Sequence, residues 1–140
     1  MKKLLVMLFV FCLWGCFTDP EKGKEQYQEA WIKESGTRYH VGYGKNSPLY
    51  GESNTLYKKS CNNGYAPGCA KLAALYSSGR YTTSGRGWLK LIQWLEVFGN
   101  IDKDPDKAKK LLEKAKRLAP EQCASGLIED EYFCREYGGK

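Results

Sequence analysis

The chain has 140 residues, of which 42% are hydrophobic and 27% charged, with a formal net charge of +6. That length holds one small domain rather than several. Basic residues are scattered among acidic ones apart from the lysine-rich stretch 103–117, which reads as a solvated helix face, so no nucleic-acid footprint stands out and no nucleic-acid partner is expected.

The first sixteen residues carry the clearest message. Lys2 and Lys3 form a basic head, residues 4–13 form an uncharged apolar run, and Leu13-Trp14-Gly15-Cys16 closes the segment. A short positive region, about ten apolar residues and a small residue before the cut make an export signal. The run is too short to span a bilayer, which takes about 20 apolar residues. Leu-x-Gly-Cys resembles the lipobox of bacterial lipoproteins. That resemblance implies removal of residues 1–15 as a lipoprotein signal peptide and a diacylglycerol on the thiol of Cys16. The mature chain would then have 125 residues and a charge of +4 once Lys2 and Lys3 are gone. Each buried methylene contributes roughly 0.8 kcal/mol, so two or three acyl chains, palmitate among them, give a stable anchor. Cleavage by ordinary signal peptidase and an uncleaved N-terminal anchor are the alternatives. The expected address is an exported protein held by lipid on the bacterial inner or outer membrane, facing periplasm or exterior.

Residues 16–52 read as the lipidated N-terminus, a tether and an irregular segment. Thr18-Asp19-Pro20 and Lys22-Gly23-Lys24 discourage early structure, although 25–33 fits a short helix around Tyr27, Ala30 and Trp31. Stretch 36–51 is dense in glycine and tyrosine, and glycine at that density resists regular structure. Its tyrosines suit packing against the domain or a contact surface.

From residue 53 the character changes, and 53–140 is read as an all-α domain. Ser53-Asn54-Thr55 offers an N-cap, with Leu56, Tyr57, Ser60 and Cys61 at helical spacing and a stop at Asn62-Asn63-Gly64. A second helix starts at Ala66-Pro67-Gly68, presents Cys69, Leu72, Ala73, Leu75 and Tyr76 on one face, and ends at Ser77-Ser78-Gly79. The pair is an αα-hairpin. A Ser/Thr/Gly/Arg loop at 81–87 leads into the apolar run 88–98, closed by Gly99-Asn100. Asp104-Pro105-Asp106 is a strong helix start: a cap, proline in the first turn and acid near the positive end of the dipole. That helix carries Ala108, Leu111, Leu112, Ala115 and Leu118 on one face. Ala119-Pro120 is expected to interrupt it, and 123–137 to form a last helix. No trustworthy β alternation appears.

Cys12 leaves with the signal and Cys16 takes lipid, so Cys61, Cys69, Cys123 and Cys134 remain. An even number in an oxidising compartment favours disulfides, with three possible connectivities. Zinc is disfavoured: there is no Cys-x-x-Cys, and the sole histidine, His40, is far from the cysteines in sequence.

Residues 56–69, with an Ala66-Pro67 break and Cys69, can be laid beside 111–123, with Ala119-Pro120 and Cys123, with one gap. Together with Ala70-Lys71-Leu72-Ala73-Ala74-Leu75-Tyr76 and Asp104-Pro105-Asp106-Lys107-Ala108, the pattern resembles the Sel-like repeat, a relative of the tetratricopeptide repeat. The Cys61-x7-Cys69 spacing is similar to the cysteine-rich subgroup of secreted bacterial proteins, which implies a bridge tying the two helices of one repeat. Lys116 stands where the first unit has Cys61, so the second unit lacks that bridge. The resemblance implies short antiparallel helical hairpins stacked as a small, solenoid-like, disulfide-stapled domain. Cys61 and Cys69 flank a turn and can approach the ~5.5 Å that a disulfide needs. Across unbroken helix Cys123 and Cys134 would stand about 16 Å apart. They pair only if the chain bends, with Ser125-Gly126 the obvious place; otherwise Cys134 finds another partner or stays free. The preferred pairing is Cys61–Cys69 and Cys123–Cys134.

Catalytic chemistry is not legible. His40 stands alone in a glycine-tyrosine segment. Glu129, Asp130, Glu131 and Glu136 mimic paired carboxylates but read better as the polar face of an end helix. Gly42-x-Gly44 and Gly85-x-Gly87 are too short for phosphate loops. The expectation is a non-enzymatic scaffold that needs no metal or small-molecule cofactor and binds a protein partner in the cell envelope. Tyr81, Arg86 and Trp88 are the candidate contact residues, since aromatics and arginine dominate hot spots; Trp94 is assigned to core. The alternative is a small cell-envelope enzyme, or an inhibitor of a lytic or cell-wall enzyme.

Overall fold

Proline sets the start of most helices in this chain. The computed structural model describes residues 18–39, 48–79 and 101–139, with only the backbone described at 36–39 and 48–50. These residues hold five helices: α1 (Pro20–Tyr39), α2 (Pro48–Asn62), α3 (Ala66–Ser78), α4 (Pro105–Ala124) and α5 (Glu131–Tyr137). The domain is all-α, built of packed helices and stapled by two disulfides. Among the described residues no helix is long and apolar enough to cross a membrane.

Where little early structure and a short helix over 25–33 are expected, α1 runs for twenty residues, Pro20–Tyr39. The reason is a cap: the Asp19 carboxylate accepts from Lys22 N at 3.1 Å, and Pro20 sits where a missing N–H costs nothing. Gly23 does not break the helix; it lets α2 approach. A Cβ there would lie 2.7 Å from Tyr65 Cβ and 3.0 Å from the Ser60 carbonyl. Ser60 Oγ donates to the Gly23 carbonyl at 2.7 Å. Farther along, Tyr57 donates to Glu34 at 2.7 Å and Lys33 pairs with Glu52 at 2.8 Å. The start of α1 therefore meets the end of α2, and the two run antiparallel.

α2 begins at Pro48, five residues before the expected cap. Ser53 and Asn54 are fully buried inside the helix rather than capping it. The stop at 62–64 is as the sequence indicates. Gly64 takes φ +80°, its N–H bonds the Cys61 carbonyl at 3.0 Å and Tyr65 N bonds the Ser60 carbonyl at 3.2 Å, the two bonds of a Schellman motif. Three residues later α3 is under way, with Pro67 in its first turn. Its expected face is buried at every position: Cys69, Leu72, Ala73, Leu75 and Tyr76. Gly68 is where α3 crosses α2, and a Cβ there would come within 2.8 Å of Ser60 Cβ.

α4 starts as read, with the Asp104 carboxylate accepting from Lys107 N at 2.9 Å. It packs antiparallel on α3: Asp104 N bonds the Tyr76 carbonyl at one end, and Ala66 N bonds Gln122 Oε1 at the other. The expected break at Ala119-Pro120 does not occur, and α4 runs through Pro120 to Ala124. Proline removes one helical bond and crowds the carbonyl four residues back. Here the turn is held from both sides, by fully buried Ala119 and by Gln122, while the Pro120 ring is exposed. The break comes later instead. Gly126 adopts φ +78°, and a loop leads to α5, capped by the Asp130 carboxylate on Phe133 N at 3.0 Å. The single last helix expected over 123–137 is therefore an α4 end, a turn and a seven-residue α5.

Two apolar clusters result. The larger joins Ala30, Tyr57, Cys61, Cys69, Leu72, Leu75, Tyr76, Ile101, Ala108 and Ala115. The smaller gathers Tyr65, Ala66, Ala119 and Ile128, with Phe133, Cys134 and Tyr137 packed on it. The ends of the helices sort into two poles. Thr18, the α2–α3 turn and the α4–α5 turn share one. The other holds the points where the described chain breaks off at Gly79 and resumes at Ile101, with Gly79 close against Lys103. α1 alone spans about 30 Å between them.

Candidate functional site

The sequence-derived site residues divide into those the structure places and those it does not. Cys16, Tyr81, Arg86 and Trp88 lie outside the described residues, as do His40 and Trp94. Both expected disulfides are formed. Cys61 and Cys69 bring their Cα atoms to 4.5 Å inside the core, and Cys123 and Cys134 come to 5.7 Å because the chain turns at Ser125-Gly126.

The acidic cluster near the C-terminus separates into different jobs. Asp130 caps α5. Glu129 pairs with Lys24 of α1 at 2.6 Å, and this hydrogen bond holds its carboxyl below the ordinary value. The lysine stretch is mainly solvated, as read, with two exceptions. Lys107 stands 4.3 Å from the centre of the Tyr76 ring, and Lys114 donates to the Cys61 carbonyl at 3.0 Å.

The structure adds a buried polar group. Glu34 is only 2% exposed. Its carboxylate accepts from Tyr57 OH at 2.7 Å and from Lys71 Nζ at 3.1 Å, and that ammonium also faces the Tyr57 ring. A carboxylate so deep needs this compensation, and α1, α2 and α3 each supply one member. The group therefore fastens three helices. Its signal in the sequence was Glu34 lying on the buried face of α1, at i+4 from Ala30 and i+7 from Tyr27.

Nearby phenols are held protonated. Tyr27 is raised above its ordinary pKa by burial first, then by Asp130 and Glu34. Tyr65 is pushed up to about 12 by burial, then by Tyr27, Glu129 and Asp130. The Tyr27 ring meets both Tyr57 and Tyr65, at 5.5 and 5.7 Å between centroids.

One surface is out of keeping with the rest. Trp31 is 57% exposed and Ile32 64% exposed on α1, beside an open depression of about 430 Å³ lined by Tyr27, Gln28, Trp31, Ile32 and Asp130. Tyr132 on α5 is the other large exposed apolar side chain among the described residues. A second depression of about 520 Å³ lies at the chain-start pole, between Glu21 and Lys24 of α1 and Leu118 and Glu121 of α4. Its lining has no histidine or cysteine. Among the described residues no group of three His, Cys, Asp or Glu side chains is placed to hold a metal ion. Comparison with known protein families, with curated proteins and with solved structures finds no match for this chain.

Proposed function

We propose that the chain is an exported, lipid-anchored bacterial protein that binds a protein partner of the cell envelope, using degenerate Sel-like helical hairpins as a scaffold. The observation that carries the reading is the separation of the poles. The chain enters the domain at Thr18, two residues after Cys16, whereas the stretch containing Tyr81, Arg86 and Trp88 leaves from Gly79 and returns at Ile101 on the opposite pole. The bonded α3–α4 pair fixes that pole, through Asp104 N on the Tyr76 carbonyl. Entry at Thr18, beside Gly64, and departure at Gly79, about 20 Å away by the length of α3, suit a scaffold that must bind while tethered. Two disulfides support an address outside the reducing cytoplasm. The repeat reading rests on the α2–α3 hairpin and its bridge, since α4 runs through the position where a second hairpin would break.

The test is partner capture. The protein is cross-linked in intact cells and purified, and what accompanies it is identified, alongside a variant with residues 81–88 replaced and a Cys16→Ser variant. The expected result is one dominant envelope protein, lost with the loop replacement, and loss of fatty-acid labelling in Cys16→Ser. Unchanged labelling in Cys16→Ser removes the lipid anchor. Failure to recover any reproducible partner removes the scaffold.

A further inference from the structure

We propose that α1 lies along the lipid surface, with the face bearing Gln28, Trp31 and Ile32 in contact with the bilayer; this rests on the lipid-anchor reading above.

On α1, at 100° per residue, the positions from Gln28 onward separate into two sets. Glu29 and half-buried Lys33 fall on one side, where Lys33 pairs with Glu52. Gln28, Trp31, Ile32 and half-buried Ser35 fall on the other and carry no charge; Glu21 and Lys24 share that side in the first turns, Lys24 being paired with Glu129. Asp130 edges the same depression, but its carboxylate is bonded to Phe133 N at 3.0 Å and serves the start of α5. Tyr132, 66% exposed, follows two residues on. A tryptophan, an isoleucine and a nearby tyrosine with uncharged polar neighbours match the composition of a membrane–water interface, where aromatic rings settle at headgroup level.

The short reach from the anchor selects lipid over other occupants. Only Phe17 separates Cys16 from Thr18, so at no more than ~3.6 Å per residue the acylated residue stays within roughly 7 Å of Thr18. Asp19 caps α1 and Pro20 opens it. Such a short link cannot hold the domain clear of the membrane, and α1 is the helix nearest the anchor. If α1 stood upright, Trp31 and Ile32 would be left in water. With α1 lying down, those two side chains, about 16 Å along the helix from Pro20, reach the same surface as the acyl chains. No described helix can cross the bilayer, so the contact is on the surface.

The experiment uses the lipidated full-length mature protein in vesicles of phosphatidylethanolamine and phosphatidylglycerol. An environment-sensitive fluorophore is attached at Ile32→Cys or, as a control, at Glu29→Cys on the charged face; both positions are exposed and tolerate the change. The N-terminal peptide of each preparation is weighed to establish acylation. With acylation present, the label at 32 is expected to shift to the blue and to lose most of its emission to headgroup-proximal spin-labelled lipid, while the label at 29 keeps its water-like spectrum. Water-like spectra at both positions on vesicle-bound, acylated protein overturn the contact and leave the anchor standing. A shift at 32 that follows protein density on the vesicle instead of spin-labelled lipid overturns it in favour of a second copy. An N-terminal peptide without diacylglycerol, with protein remaining in the supernatant, overturns both anchor and contact.

Discussion

Cys61–Cys69 and Cys123–Cys134 span 8 and 11 residues, so the chain entropy each removes from the unfolded state is nearly the same. Their surroundings are not. The first lies in the main core at 1% and 0% exposure, where the Schellman turn, the crossing at Gly68 and the bonds from Gln122 hold the same hairpin. The second is half-buried and secures α5, a seven-residue helix with no buried residue of its own. Helices that short do not persist by propensity. α5 has two other holds: its Phe133–Tyr137 pair, 4.8 Å between centroids, resting on the small cluster, and the Asp130 cap. One bridge reinforces what packing has already decided, and the other substitutes for packing that is missing.

The largest effect should follow loss of the first bridge. Cys61→Ala with Cys69→Ala is expected to lower global stability by about 2–5 kcal/mol, read as a shift of the denaturant midpoint. Gln122→Ala should come next. Its side chain donates to the Gly64 carbonyl at 2.6 Å and accepts from Ala66 N at 2.9 Å, 6% exposed. Removing it strands a buried donor and a buried acceptor at the hairpin, an expected cost of about 2–3 kcal/mol with the disulfide intact. A midpoint unmoved by Gln122→Ala would mean that the bridge alone holds the hairpin, and the contrast between the two regions would fail.

Cys123→Ser with Cys134→Ser should behave differently. This bridge joins only the last turn of α4 to α5 and lies outside the α1–α4 core, so the global midpoint should stay close to its original value, while amides at 131–137 exchange nearly as fast as in free peptide and those at 66–78 keep their protection. A midpoint drop matching that of the first pair would show α5 to be part of the cooperative core.

The same contrast explains how much of the molecule was legible in the sequence. The α2–α3 hairpin was readable because its cues are local: a glycine stop, proline in the first turn, and an i, i+3, i+4, i+7 face. The α4 start was readable from Asp104-Pro105-Asp106. Asp19-Pro20-Glu21 has the same grammar and opens α1, but Gly23 obscured it. A glycine in a helix registers as a breaker until a neighbouring backbone is known to need its space, and that neighbour, Tyr65, lies 42 residues on. Pro120 misled in the opposite direction. Its helix survives through contacts to residues 64 and 66, which no window around 120 contains. The bend at Ser125-Gly126 followed from disulfide geometry only once the pairing was assumed. The buried Glu34–Tyr57–Lys71 group and the exposed Trp31–Ile32 face depend on which side of α1 meets α2. With residues 16–52 read mostly as tether, that side was not defined.

The smallest effect tests the remaining tie between the two regions. Lys24 on α1 pairs with Glu129 beside α5, and the carboxylate is exposed. Its pKa is depressed in the folded state, first by the hydrogen bond from Lys24 and then by that ammonium's charge. The stability it contributes is therefore present above the ordinary glutamate value and lost as pH falls through the lowered one. Exposure makes the contribution small and salt-sensitive. Lys24→Met should accordingly lie slightly below the native protein in thermal midpoint at neutral pH. The two should converge in acid, and also in about 1 M salt, where the screening length is only about 3 Å. If the difference persists under both conditions, then the aliphatic stem of Lys24, which is largely covered, matters through its packing and not its charge. α1 and the α4–α5 turn would then be joined by a small apolar contact, and the C-terminal hook would be less dependent on its disulfide than its lack of buried residues indicates.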